Sequence, residues 1–245
     1  MRQTLYDGYL VIFALAQAVI LLMLTPLFTG ISRQIRARMH SRRGPGIWQD
    51  YRDIHKLFKR QEVAPISSGL MFRLMPWVLI SSMLVLALIA GSTHIEMISN
   101  TLATGWNSPL TTVLALLACG FACFIEMGKI PFDVAEAEQE LQEGPLTEYS
   151  GAGLALAKWG LGLKQVVMAA LFVALFLPFG RAQELSLACL LTSLVVTLLK
   201  VLLIFVLASI AENTLARGRF LLIHHVTWLG FSLAALAWVF WLTGL

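Results

Sequence analysis

The sequence predicts an all-α fold, a polytopic bundle of about six transmembrane helices with amphipathic helices in two cytoplasmic loops. Three observations carry that reading. Of the 245 residues, 58% are hydrophobic and only 13% are charged, with a mean hydropathy of +0.77, far from the composition of soluble globular domains. Apolar runs of about 20 residues, the length that crosses a bilayer as a helix, recur along the chain. The polar residues gather in two sizeable loops between those runs, with no repeat, low-complexity tract or Gly/Ser linker, so residues 1-245 read as a single integral membrane domain.

The first run, Tyr9 to Thr29, is too long for a signal-peptide core and is followed by arginines where a cleavage site would need small residues, so it is expected to stay as an anchor. The loop after it, residues 30-69, holds Arg33, Arg36, Arg38, Arg42, Arg43, Arg52, Lys56, Lys59 and Arg60. The positive-inside rule places that loop in the cytoplasm. Within it, Gly44-Pro45-Gly46 interrupts any helix, and Trp48 to Arg60 reads as a short amphipathic helix. Ile47, Tyr51, Ile54, Leu57 and Phe58 recur at helical spacing, opposite a basic side of Arg52, Lys56, Lys59 and Arg60. Such a helix lies on the membrane surface or beneath a partner subunit. The plainer alternative is that its cations only fix topology and bind anionic lipid.

Leu70 to Gly91 and Leu110 to Glu126 are the second and third runs, followed by an inner loop over residues 127-160. Leu161 to Phe179 and Leu185 to Ile210 come next, then an inner loop at 211-225 and a last run from Val226 to Leu245. Lys129 and Lys158 fall in the second inner loop and Arg217 and Arg219 in the third, leaving Arg2 and Arg181 for the outside. Both termini are therefore expected on the outer face.

The stretch from Glu126 to Gly151 departs most from this apolar background, since it holds seven of the fourteen acidic residues. Pro131 suits the first turn of a helix, and Asp133 and Glu136 near that end complement the helix dipole. Gly144-Pro145 would stop it. At about 100° per residue, Asp133, Glu136, Glu140 and Glu143 share one face, whereas Glu138 falls beside the apolar face formed by Val134, Ala137 and Leu141. A carboxylate held against apolar surface has its charged form penalised, which is one way to make a proton-relay acid. The competing reading is a solvated acidic face that balances the arginines of the first loop.

Charged residues within spans usually line a polar path or pair with one another. Lys200 lies mid-run, Glu212 follows the same run, and Glu126 ends the third. Together with Glu138, these are the proton-path candidates, while Lys164 is expected to reach the interface along its stem. Cys119, Cys123 and Cys189 all sit in apolar runs without a CxxC pair or a Cys/His cluster, so no metal or iron-sulfur site is expected in this chain.

The motifs of the acidic stretch carry a resemblance. Glu126, Pro131-Phe132-Asp133, the alternating Glu136, Glu138 and Glu140, and Glu148-Tyr149-Ser150-Gly151 resemble, in order, the acidic loop of the family containing the membrane subunit 1 of respiratory complex I, which bacteria carry in their NADH-quinone oxidoreductase. The matching anchor subunits of membrane-bound hydrogenases belong to the same family. Arg42-Arg43-Gly44-Pro45, Gln49, Asp53 and Lys56 agree with it, as do Glu212, Arg217 and Arg219. Met127-Gly128-Lys129-Ile130 and the short first loop are closer to the hydrogenase branch, of the formate hydrogenlyase and hydrogenase-4 type. Family members usually have about eight spans, two more than the length criterion finds here, and the join would fall near Leu84 to Ala90.

This resemblance implies a membrane-anchor and proton-path subunit of an energy-converting nickel-iron hydrogenase in a bacterial inner membrane, with no redox centre of its own. Its implied partners are the hydrogenase large and small subunits, iron-sulfur subunits and antiporter-like membrane subunits, with membrane lipid around them and no nucleic acid. The nickel-iron centre and iron-sulfur clusters would reside in those partners. Proton-path candidates are Glu126, Asp133, Glu136, Glu138, Glu140, Glu143, Glu148, Lys200 and Glu212; docking candidates are Arg42, Arg43, Asp53, Lys56, Arg217 and Arg219. The alternatives are a quinone-binding subunit of an NADH-quinone oxidoreductase, a stand-alone ion transporter and an inactive, internally deleted remnant.

Overall fold

The computed structural model describes residues 2-63, 69-90, 109-129, 146, 148-177, 179-180, 187-214 and 223-243. Those residues form seven helices and no strand: α1 (Arg2–Met39), α2 (Gln49–Phe58), α3 (Leu70–Ala90), α4 (Pro109–Glu126), α5 (Gly151–Phe176), α6 (Leu187–Thr214) and α7 (Ile223–Thr243). Segments of α1, α3, α5 and α6 are long and apolar enough to span a bilayer, and Leu110–Glu126 and Thr227–Thr243 are shorter apolar helices. The polytopic bundle expected from the apolar runs is thus present, and the chain is a multi-pass membrane protein.

Several ends differ from the sequence expectation. The first loop was expected from residue 30, yet α1 runs on to Met39, because arginine is a good helix former and nothing before Ser41 breaks the turn. Its 38 residues rise about 57 Å, far more than the roughly 30 Å of a hydrocarbon core. The helix ends where Ser41 takes a positive φ of 56°, with Arg42 N donating to Ala37 O at 2.8 Å and Ser41 N to Arg38 O at 3.0 Å, the paired bonds of a Schellman end. The second inner loop, expected to reach residue 160, ends when α5 begins at Gly151, and α6 continues past Ile210 to Thr214.

α5 is the hub, with α1, α2, α3, α4 and α6 all packed against it. Its small residues Ala155, Ala157, Gly160, Gly162, Ala169 and Ala170 let neighbouring backbones approach. Leu163, Val166 and Val167 meet Leu21 and Phe28 of α1 and Val201 and Phe205 of α6 in one buried cluster, where the Phe28 and Phe205 rings lie 5.6 Å apart. Large apolar residues such as Met71, Trp77, Leu199, Leu203 and Trp241 point outward, as a lipid surround requires.

α2 folds back beneath the bundle. It packs on α1 and α5, with Phe58 edge-on to Trp159 at 6.4 Å and the Tyr51 hydroxyl donating to the carbonyl of Met23. The chain entering α2 presses so close to α1 that a Cβ on Gly30 would overlap the backbone oxygen of Ile47. Gly30→Ala is therefore expected to destabilise the chain by about 1–3 kcal/mol. Gly46→Ala, with nothing within 4 Å of its added Cβ, is the matched control and should stay within about 0.5 kcal/mol of the parent. Thermal unfolding of the two detergent-solubilised variants measures both.

Candidate functional site

The C-terminal ends of α1 and α6 enclose a carboxylate. Glu212 is 1% exposed, and a charge taken that far out of water persists only when opposite charge is supplied. Arg36 of α1 forms an ion pair with one of its oxygens, and the Nζ of Lys129, itself buried, stands 3.2 Å from the other. The two oxygens have no donor in hydrogen-bond alignment, so these contact ion pairs are the compensation among the described residues. Lys129 Nζ also donates to Ser32 Oγ at 2.8 Å, and Ser32 Oγ and Ser209 Oγ are 2.7 Å apart. Three distant stretches of chain thus meet in one buried polar cluster.

A cavity of about 340 Å³ lies alongside. Arg33, Arg36, Asp50, Asp53, Lys129 and Lys158 supply its charged lining, with Thr25, Thr29, Ser32 and Gln165 among its polar groups. Asp50, buried at the start of α2, accepts from Thr29 Oγ1 at 2.7 Å and pairs with Arg33 Nη1 at 2.7 Å. Arg36 and Lys129 therefore border the cavity and hold Glu212 at once, which gives a continuous set of ionisable and hydroxyl groups leading from the cavity to the buried carboxylate. Such a set can pass or store a proton.

The remaining candidates lie elsewhere. Glu126 is exposed and pairs with Lys164 at 2.6 Å, so Lys164 is held by this carboxylate and does not simply reach for the interface. Lys200 donates to the carbonyls of Leu177, at 2.7 Å, and Phe179, and stands 5.4 Å from the Phe179 ring centroid. Its charge thus meets the carbonyls just beyond the C-terminus of α5, where the helix dipole is negative. Glu148, Arg42, Arg43 and Lys56 are exposed, and Asp53 accepts from Gln49 Nε2 at 2.8 Å. Glu126, Lys200 and Glu212 hence have separate partners. Asp133, Glu136, Glu138, Glu140, Glu143, Arg217 and Arg219 lie outside the described residues. Among the described residues no group of His, Cys, Asp and Glu could hold a metal ion.

Sequence reasoning treated Lys129, Arg33 and Arg36 only as topology-setting charges and passed over Asp50, Ser32 and Ser209. The available signal was Lys129 itself, a cation three residues after Glu126 in the most distinctive stretch of the chain.

Long apolar helices around a buried ionic cluster and a polar cavity define a multi-pass membrane subunit that keeps charge inside the protein. The chain belongs to the NADH dehydrogenase family, whose sequence profile matches residues 11–89 and 78–243. It is 76% identical to hydrogenase-4 component C of Escherichia coli (strain K12), with 100% of both chains covered. It is 37% identical to formate hydrogenlyase subunit 4 of the same strain, over 94% of this chain and 98% of the relative. A subunit of the NADH-quinone oxidoreductase of Novosphingobium aromaticivorans is 31% identical over 63% of this chain and 44% of its own. Among solved structures, a chain of the membrane-bound sulfane sulfur reductase, an archaeal respiratory membrane complex, shares the fold with a TM-score of 0.66 at 18% identity, covering 93% of this chain and 98% of that one.

The alignment with hydrogenase-4 component C extends over 315 positions, 70 more than the 245 residues present. At least that many positions have no counterpart here, enough for two spans of about 20 residues and their loops. The two profile matches overlap at residues 78–89, within α3 and across the join expected at Leu84 to Ala90. Relative to hydrogenase-4 component C, the chain lacks an internal segment of about 70 positions.

The buried pair sets a stability expectation. Glu212→Ala leaves buried Lys129 without its carboxylate and should destabilise the protein by about 3–5 kcal/mol, with the half-exposed Arg36 adding little; Lys129→Met in the same chain should recover much of the loss in thermal unfolding. Burial first, then the neighbouring Glu148 charge, raises the Tyr149 phenol above its usual 10.0. Stability from its neutral hydroxyl is then complete below 10.0 and lost as pH rises through the higher folded value. Spectrophotometric titration of Tyr149→Phe against the parent should show one late-ionising phenol missing.

Proposed function

We propose that this chain is the membrane-anchor and proton-path subunit of a complex I-like energy-converting nickel-iron hydrogenase of the formate hydrogenlyase and hydrogenase-4 type. The observation that carries the reading is the buried Glu212, Lys129 and Arg36 cluster beside a charged cavity, in a chain 76% identical to hydrogenase-4 component C. A carboxylate that needs two cations to stay buried is costly, and ionisable groups kept inside a membrane protein commonly line a polar path.

In this reading the peripheral arm, made of hydrogenase large and small subunits and iron-sulfur subunits, docks on the first loop through Arg42, Arg43, Asp53 and Lys56 and on the last inner loop through Arg217 and Arg219. The nickel-iron centre and clusters belong to that arm. Reduction of protons there changes the field above the cavity. That change moves a proton along Glu212, Glu138 and the neighbouring carboxylates toward antiporter-like subunits. The chain sits in a bacterial inner membrane with both termini outside.

Glu138→Gln is expected to abolish proton translocation by the assembled complex while leaving hydrogen evolution from artificial donors intact. Undiminished translocation would remove Glu138 from the path. Affinity isolation from the native membrane should recover a nickel-iron large subunit. The cavity favours one other reading, a quinone-binding subunit; recovery of flavin and NADH-binding subunits, with inhibition by quinone-site ligands, would select it.

A further inference from the structure

We propose that Tyr149, Ser150 and Gly151 form a clasp that fixes α3, where Pro76 interrupts it, to the exit of α2, with Tyr149 the positioning residue for the neighbouring Glu148. The functional half of this proposal rests on the proton-path reading; the clasp itself does not.

Two prolines interrupt the helical hydrogen bonding of the long spans. Pro26 lies inside α1 and Pro76 inside α3. A proline has no N–H, so each leaves the carbonyl four residues earlier without its helical donor. A carbonyl left so and shielded from water needs a partner from elsewhere. The carbonyls in question are those of Leu22 and Phe72, and an aromatic donor serves each: Trp159 Nε1 donates to Leu22 O at 2.9 Å, and the Tyr149 hydroxyl donates to Phe72 O at 3.0 Å. Both donors sit within one short stretch, the start of α5 and the turn leading into it. The Tyr149 ring also stacks on Phe72, with centroids 4.2 Å apart and planes 4° from parallel. Ring and hydroxyl therefore address the same residue.

The next two residues grip a different element. Ser150 has the extended backbone of an N-cap but makes no capping bond. Its hydroxyl instead accepts from Val63 N at 2.7 Å and donates to Val63 O at 2.9 Å. Gly151 has φ +53°, and a Cβ there would meet Gln61 O at 2.7 Å and Arg60 O at 2.9 Å. Three consecutive residues thus join α3 at its Pro76 interruption, the chain leaving α2 and the start of α5. Trp159, ten residues after Tyr149, ties α5 to α1 at the Pro26 interruption, beyond which α1 carries Arg33 and Arg36 to the cavity. Displacement of Glu148 is transmitted directly to Phe72 and Val63.

A variant cycle tests the pairing in the purified full chain. Tyr149→Phe keeps the ring and removes the donor, leaving Phe72 O unserved, and should lower Tm by about 2–4 °C. Pro76→Ala restores an N–H for that carbonyl, so adding Tyr149→Phe to it should change Tm by less than half as much. Equal losses on both backgrounds would overturn the pairing. Position is read separately by the rate at which a membrane-impermeant maleimide labels Glu148→Cys. Tyr149→Phe and Pro76→Ala should each raise that rate by roughly threefold or more, as expected for loss of one tie, and the double variant should raise it no further. Unchanged labelling would overturn the clasp. In the assembled complex, Tyr149→Phe should keep hydrogen evolution and lower protons moved per hydrogen; a parent complex that moves none would defeat the proton-path reading and leave the labelling result to judge the clasp.

Discussion

A carboxylate withdrawn from water needs cations brought to it, and in this protein they come from far along the chain. Glu212 near the end of α6 draws Arg36 from α1 and Lys129 from beyond α4, while Ser32 and Ser209 close the gap between α1 and α6. Within lipid the hydrophobic effect does not pull one apolar helix toward another. Packing alone would tolerate α1 sliding by a turn against α6, because Leu, Phe and Val recur on both. The ionic cluster does not tolerate it: a shift of about 5.4 Å would draw Arg36 away from Glu212 and Ser32 away from Ser209 together. The same groups that suit proton storage thus fix the relative depth of three segments, and removing one partner is far more damaging than replacing all of them.

The neutral counterpart of that demand is the backbone carbonyl. Where α1 and α3 are interrupted by Pro26 and Pro76, Trp159 and Tyr149 supply the missing donors. Beyond the end of α5, Lys200 supplies an ammonium to the carbonyls of Leu177 and Phe179. A lysine in mid-helix looks costly when read alone, but a helix terminus offers it both negative potential and acceptors. Lys200 therefore has a structural account before any role in conduction is assigned to it.

Helix number and order were legible because runs of about 20 apolar residues have few other uses. Helix ends were not. The arginines after Gly30 mark the end of the apolar stretch but favour helix as much as the residues before them, so α1 outlasts its own hydrophobicity. The charge network was legible only in part. Glu212 stood out as an acid at a span end, whereas Lys129, Arg36 and Asp50 resembled ordinary interfacial charge, since a pairing across most of the chain leaves no local pattern. The prolines were passed over: Pro26 and Pro76 each leave a carbonyl without its helical donor, and nothing local in the sequence says that Trp159 and Tyr149 serve them. Asp133, Glu136, Glu138, Glu140 and Glu143 fall outside the described residues, so their helical phase remains a reading of the sequence.

The location of the internal contraction follows from the same division of labour among helices. Only 11% of the α3 span is buried against the protein, compared with 50% of the α5 span. No residue of the Glu212 cluster or of the cavity lining lies on α3. The one polar tie described above that reaches α3, at Phe72, precedes the stretch 78–89 where the two family matches overlap. A loss of 70 or more positions at that point leaves each ion pair, the cavity and both proline partners in place. The same loss across the ends of α1 or α6 would take Arg36 or Glu212 with it. Buried charge demands every one of its partners, whereas the lipid-facing surface of α3 places few demands on sequence.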